Sequence, residues 1–437
     1  MRISSLCGGV LMASMAGLLY VACYSQGGYS ADMGTDLQTS QPDLATSGAK
    51  DAATDQAAPD LGCPARTIPS KGGCAPCSIL VPDEQPTISQ AIGAAPNFGT
   101  VCILPGTYKE SITLRPHVSL QGVGPTSKIV GNVSVRLLSD ADPTPTALRD
   151  LSIFYTPLAA LTNCPADMPG CTSGGIDNTG RTIALVVERV LLSGDTVSGT
   201  TQCAQIEAFG GTVNVTFRDS ICRGERGLRL RHDPSSSGVH KTSYLIERNR
   251  FEPSQEPSSW TYNGLDLLFP TSTGTLPAGS KVRADVRNNE FVRTRYEGIY
   301  VTAGLLLQSA DQADAKAVIA NNTFVSDDGK NAIWDNSRTG TFPQVVSVNN
   351  LFVGSSMPHL GRSPSYEGNN LTGTAASFVN LSGEDLHLAP GASAIDAADP
   401  VWAPSEDRDQ RLRPIDGKGG GKALPDVGAF EYAPGGR

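Results

Sequence analysis

Between Thr100 and Gly124 the chain reads TVCILPGTYKESITLRPHVSLQGVG. Apolar residues fall in short runs separated by turn residues. This pattern predicts a strand, a Pro-Gly turn, a second strand, a turn at Pro116 and a third strand. No Asn-Gly pair folds these runs into a hairpin, so they read as successive sides of one coil of a parallel solenoid. Upstream, Thr87-Ile88-Ser89-Gln90 reads as a capping box, in which the Thr hydroxyl and the Gln side chain each satisfy a free backbone N–H. Ile88, Ala91, Ile92 and Ala95 then share one face of a short amphipathic helix that stops at Pro96.

A four-residue step recurs downstream: Asp150–Ile153, Glu188–Leu191, Arg218–Ile221, Arg248–Phe251, Asn288–Phe291, Asn321–Phe324 and Asn349–Phe352. The offsets are 38, 30, 30, 40, 33 and 28 residues. A fixed coil with insertions confined to its turns produces this irregular spacing. The final Ile, Leu or Phe of each step is expected to stack inside the tube. The Asn residues are expected at a bend, where amides tolerate a left-handed backbone and hydrogen-bond from coil to coil. A second step reads Gly227–Leu230, Gly264–Leu267, Gly298–Val301 and Ala332–Asp335, with Gln205–Ala208 fitting loosely one coil earlier. Gly permits a sharp turn, the second position points inward and the third points out. The fold class expected is all-β: a single-stranded, right-handed parallel β-helix with a short N-terminal capping helix.

These features resemble the right-handed parallel β-helix repeat proteins, the group that includes pectate-lyase-like polysaccharide enzymes. The resemblance runs from about Ile88 to the C-terminus. The opening QAIGAAPNFGTVCILPGTYKESITL is similar to the usual first coil of exported members. DLHLAPGASAIDAAD and PDVGAFEY, at 385–399 and 425–432, are similar to their closing segment. Such motifs imply an architecture and leave the chemistry open.

The N-terminus reads as an address. Arg2 is the only charge in the first 31 residues, and Val10–Ala22 is apolar and small. Tyr20-Val21-Ala22-Cys23 resembles a bacterial lipobox with Tyr20 in place of the usual Leu, which implies cleavage before Cys23 and lipidation of that cysteine. Residues 24–62 carry six Asp against one Lys and almost no bulky side chains, the composition of a flexible tether. The expected organisation is a signal peptide at 1–22, a lipid-anchored tether at 23–62, a Cys-rich cap at 63–100, the β-helix at 101–375 and a C-terminal cap at 376–437. The protein is then exported to the cell envelope, an outer-membrane lipoprotein held by lipid alone.

Of ten cysteines, Cys7 leaves with the signal and Cys23 carries lipid. The eight others are Cys63, Cys74, Cys77, Cys102, Cys164, Cys171, Cys203 and Cys222, an even set that reads as disulfides in an exported chain. Cys164 with Cys171 would close one loop, and Cys203 with Cys222 would tie adjacent segments. Cys74-x-x-Cys77 has no second pair to complete a zinc site, so disulfides are expected there too. No cofactor is expected, although Asp407, Asp409 and Asp416 offer either a Ca²⁺ site or a simple cap.

The third positions of the second step give an outward file of Glu207, Arg229, Asp266, Tyr300 and Trp334, with Glu225, Tyr262, Tyr296 and Lys330 beside it. Aromatics next to charges on a flat sheet suit carbohydrate, since rings stack on sugar faces and charges bind hydroxyls or uronates. A net charge of −9 argues against nucleic acid as partner. Residues 218–250 nevertheless hold eight Lys/Arg against four acids, a stripe suited to an anionic polysaccharide. A uronate lyase needs a cation and a base, which Arg229, Arg231, His232, Arg295 and Tyr296 could supply. A hydrolase needs two facing carboxylates, for which Asp266 and Glu297 are candidates. HExxH, GxxxxGK[ST] and GxSxG motifs are absent. The functions consistent with the sequence are a monomeric envelope protein binding polysaccharide without catalysis, a polysaccharide lyase or hydrolase, and a passive spacer.

Overall fold

The computed structural model describes residues 63–435 apart from 137–143, 155–157, 162–181, 195–201, 210–211, 225, 234–238, 253–262, 270–278, 295–296, 304–313, 330–331, 336–343, 356–358 and 362. The described coils form a right-handed parallel β-helix. Nineteen strands pair as one continuous sheet that bends into two faces, and nine more make a third sheet. The first face includes Thr100–Ile103, Thr212–Arg218, Lys241–Glu247, Lys281–Arg287 and Asp314–Ala320. The second includes Gly106–Tyr108, Ile221–Arg223, Arg250–Glu252, Glu290–Thr294 and Leu351–Ser355. The third runs from Ile112–Leu114 to His359–Gly361.

Two details of the opening coil differ from the sequence reading. The stretch TYKESITL holds two strands, Gly106–Tyr108 and Ile112–Leu114, and Ser119–Gly122 already starts the next coil by pairing with Thr100–Ile103. Parallel pairing also begins earlier, with Ile79–Val81 against Val101–Ile103, inside the segment read as a cap. The short helix Ile88–Ala94 buries Ile88, Ala91 and Ile92. Thr87 accepts the Gln90 N–H at 3.2 Å, while the N–H groups of Ile88 and Ser89 go to the Glu110 carboxylate one coil on.

Phe251, Phe291, Phe324 and Phe352 form one internal file. Their ring centroids are 4.8, 4.7 and 5.2 Å apart in succession, with planes within 24°. Two earlier steps are displaced by one residue from the sequence reading. Ile153 pairs with Leu192, and Leu192 with Cys222, so the steps are Arg189–Leu192 and Asp219–Cys222. Cys222 takes the inward place because it is bonded to Cys203 within the tube, and both are buried.

The bend between the first two faces has a single backbone solution repeated eight times. Asp150, Arg189, Asp219, Arg248, Asn288, Asn321, Asn349 and Asn369 all have φ between 52° and 56°. This left-handed conformation is accessible to Asn and Asp and costs other residues more. Arg189 and Arg248 occupy it while forking onto Asp150 and Asp219 of the preceding rung. The next residue builds an amide ladder. Asn249, Asn289, Asn322, Asn350 and Asn370 are linked by Nδ2-to-Oδ1 bonds of 3.0–3.1 Å. Each Oδ1 of the last four also accepts the backbone N–H of the preceding rung's Asn. Buried backbone groups at the bend are thereby satisfied.

The C-terminal segment lies back over the tube as a strap. Phe378, Leu386, Leu388, Val427 and Phe430 pack with Val292, Val325 and Val353 of the second face. Trp402 covers Val318 and Val346 on the later rungs of the first face. Along the bend, the amides of Asn288, Asn321 and Asn349 donate to Glu406, Asp426 and Asp399 carbonyls at 2.7, 2.9 and 3.0 Å. The strap reaches as far as Gln410, which bonds Asp219 and accepts from Lys71 of the N-terminal hairpin. The first Asn of each step thus holds the strap, and the second holds the neighbouring rung.

Three carboxylates organise the strap. Asp407 accepts the Arg411 and Glu431 N–H groups, Asp426 those of Asp396 and Tyr432, and Glu431 those of Ile415 and Asp426. Burial, with Glu431 nearby, pushes Asp426 up to about 7, and burial also raises Glu431 and Asp407. An unfolded Asp titrates near 3.9, so between about pH 4 and 7 unfolding releases a proton that the folded strap retains. The contribution is whole below the unfolded value and is lost as pH rises through the folded one. The urea midpoint is therefore expected to fall between pH 5 and 7, with a flatter slope in Asp426→Asn. An unchanged slope in that variant would rule out Asp426 as the source.

Candidate functional site on the third sheet

Two of the three faces are occupied where they lie under the strap. On the third sheet the strand register sets the order of the residues expected in the outward file. Arg229 sits between inward Leu228 and Leu230, and Asp266 between inward Leu265 and Leu267. In register, Arg229 pairs with Asp266, Asp266 with Tyr300, and Tyr300 with Trp334. Four rungs at about 4.8 Å spacing give a file about 14 Å long that reads cation, carboxylate, phenol, indole. Asp266 is only 8% exposed and accepts the Asn263 amide at 2.8 Å. The Arg229 Nε is buried and has no hydrogen-bond partner among the described residues.

The file begins at a different residue from the one expected. Gln205, and not Glu207, pairs with Arg229, while Glu207 pairs with Arg231. The loose match at Gln205–Ala208 was out of register by two residues, because Ala204 and Ile206 supply the inward positions. The glycine of the step also has a different role. Gly227 lacks positive φ, and a Cβ there would collide with the Gly264 carbonyl of the next rung, so close rung approach requires it.

The register places the other described candidates along the strands of this sheet. Arg231 is level with Glu207 and Leu268, and His232 with Ala208. Glu297 is level with Asn263, three residues from Asp266, or about 10 Å along the strand. Arg295 and Tyr296 lie outside the described residues, as do Glu225, Tyr262 and Lys330.

Four of the eight cations at 218–250 are paired with acids, most of which lie outside that stretch. Arg218 pairs with Glu188, Arg223 with Glu252, and Arg248 with Asp219 and Glu247. Arg250 meets Glu252, Glu290 and Glu384. On the first face the sign alternates rung by rung along Arg149, Glu188, Arg218, Glu247 and Arg287. The bend residues Asp150, Arg189, Asp219 and Arg248 alternate in antiphase beside them. These charges cement rungs.

Cys63 is bonded to Cys74, Cys77 to Cys102 and Cys203 to Cys222; Cys164 and Cys171 lie outside the described residues. Three disulfides suit an oxidising, extracellular or periplasmic setting. No helix among the described residues is long and apolar enough to cross a membrane. Among the described residues no group of His, Cys, Asp and Glu is arranged to hold a metal ion. Asp407 and Asp416 bind backbone N–H groups, and Asp409 binds His387 at 2.7 Å. His387 also meets Asp385, and these two carboxylates raise its pKa against the opposing effect of burial.

No protein-family model matches the chain, and no curated protein does. Among solved structures, pectate lyase Pel9A aligns at 13% identity over 79% of this chain and 91% of its own, with a TM-score of 0.45. The A-module of mannuronan C-5 epimerase AlgE6 from Azotobacter vinelandii aligns at 14% identity over 65% and 93%, with a TM-score of 0.30. The catalytic unit of a GH87 alpha-1,3-glucanase from Streptomyces thermodiastaticus aligns at 14% identity over 71% and 70%, with a TM-score of 0.25. The stacked rungs, the bend and the internal aromatic file establish the architecture by themselves: this chain is a right-handed parallel β-helix.

Proposed function

We propose that the protein is exported, anchored at the cell envelope through lipidated Cys23, and binds polysaccharide along the outward side of the third sheet without catalysis. The observation that carries this reading is the in-register file Arg229, Asp266, Tyr300 and Trp334 on the third sheet. Aromatic and charged groups on successive rungs match the alternating apolar faces and hydroxyl edges of a sugar chain. The folded part is expected to lose retention on a glycan array by at least about tenfold in Trp334→Ala, which corresponds to ~1.4 kcal/mol. Retention equal to wild type would remove the proposed face, and no retention of any glycan would leave a spacer.

A lyase reading rests on one feature, the buried, unpartnered Nε of Arg229 beside Asp266. An arginine so placed could neutralise a uronate carboxylate and acidify the adjacent carbon. Unsaturated-product absorbance on pectate or alginate, abolished by Arg229→Ala, would establish that activity in place of simple binding.

A further inference from the structure

The first face carries a break in its own charge rule. Where Arg149, Glu188, Arg218, Glu247 and Arg287 alternate, each cation finds an acid on an adjoining rung. At the other end of the same strands, Lys241 pairs in register with Lys281, and one file over, Arg283 pairs with Lys316. Lys241, Lys281 and Arg283 are exposed. Rungs lie about 4.8 Å apart, and like charges directly opposite one another are destabilising.

Local acids cancel only part of this charge. Asp285 takes the Arg283 Nε at 2.8 Å. Lys316 lies 5.3 Å from the centre of the Trp402 ring. The register puts Asp314 opposite Lys281. Lys241 and Lys281 have no ion-pair partner among the described residues. The preceding rung presents Thr212, Asn214 and Thr216, so the cations adjoin a flat, uncharged, hydrogen-bonding surface.

We infer that Lys241, Lys281 and their neighbours form a second binding site, on the first face, for an acidic polysaccharide whose carboxylates lie across the two lysines. The like-charged pair is retained because its partner is a ligand. A chain anion fits better than a membrane, since only Lys241 and Lys281 are left without a partner among the described residues, fewer than the four to eight clustered basic residues that mark a surface for anionic lipid. It also fits better than duplex nucleic acid, which a chain of net charge −9 repels at longer range. This inference does not depend on the third sheet.

The test uses the full chain with a hexameric oligogalacturonate, a neutral glucan hexamer as control, and phosphatidylserine vesicles. In low salt the acidic oligomer is expected to bind Lys241→Gln/Lys281→Gln at least about tenfold more weakly than wild type, with a shallower salt dependence. Lys241→Arg/Lys281→Arg should retain binding, and Trp334→Ala should not abolish this salt-sensitive component. The double Gln variant should melt no lower than wild type, because a repulsive pair has been removed. Equal binding by wild type and the Gln variant, or no acidic-oligomer binding by wild type, overturns the inference. Vesicle binding lost in the variant without any oligomer effect overturns it in favour of a membrane. A lower melting temperature in the Gln variant overturns the argument from repulsion.

Discussion

Phe291→Ala is expected to cost about 3–5 kcal/mol of folding free energy and to weaken cooperativity along the tube. Phe291 is fully buried and stacks on both sides, against Phe251 at 4.8 Å and Phe324 at 4.7 Å. Truncation removes two ring contacts, each worth about 0.5–1.5 kcal/mol beyond area, and leaves a cavity that neighbouring rungs cannot fill without losing register. Because each rung contacts only its neighbours, the loss falls on one interface. Hydrogen exchange should accelerate first in Arg250–Glu252 and Thr323–Gly329, which flank Phe291. Phe291→Leu should recover part of the loss, and Phe352→Ala should cost less, since its ring has one Phe neighbour and lies near the final rung. A urea transition for Phe291→Ala within about 1 kcal/mol of wild type, the scale of a surface change, would refute the shared internal file.

Arg413→Met is expected to release the strap at a cost of about 3–5 kcal/mol. The Arg413 side chain is almost wholly enclosed and lies 3.3 Å from Glu431, whose side chain is fully enclosed. It also donates to the Asp426 and Gly428 carbonyls at 2.7 and 2.9 Å. Without it, Glu431 and Asp426 keep their burial and lose their cation, so one must take up a proton or leave. Limited proteolysis between Pro404 and Lys422 should appear in the variant while parallel-sheet circular dichroism persists, because the rungs stack without the strap. Lower pH should restore part of the loss by protonating the stranded carboxylates. A variant that resists proteolysis as wild type does would show that the apolar packing of Phe378, Leu386 and Phe430 suffices to hold the segment.

The two variants test different consequences of one arrangement. Phe291 reports on contact between rungs, and Arg413 on the segment that crosses them. The ladder Asn249, Asn289, Asn322, Asn350 and Asn370 fixes which residues meet in both cases, since each amide locks its rung to the next within one hydrogen-bond length. The third sheet inherits that register.

How far the chain is legible without coordinates depends on how local each signal is. Asn-Asn-x-Phe predicted the bend, the amide ladder and the stacked rings, because a left-handed backbone, a laddering amide and an apolar side chain are all encoded within four residues. Glu188–Leu191 and Arg218–Ile221 were misaligned by one residue. Ile221 is more apolar than Cys222, and only the bond across the tube to Cys203 turns Cys222 inward. Glu207 was aligned in place of Gln205 for a similar reason, since the inward pair Ala204 and Ile206 is identified by pairing with Leu228 and Leu230 on another rung. The basic stretch at 218–250 was real in sequence, but its partners Glu188, Glu252, Glu290 and Glu384 are up to 134 residues from the arginines they meet. By itself, then, the sequence determined the coil, its bends and its internal stack, because short-range chemistry repeats in them. Tertiary structure alone decided which cations are neutralised and where the strap lies, because those outcomes depend on residues brought together only after the rungs have stacked.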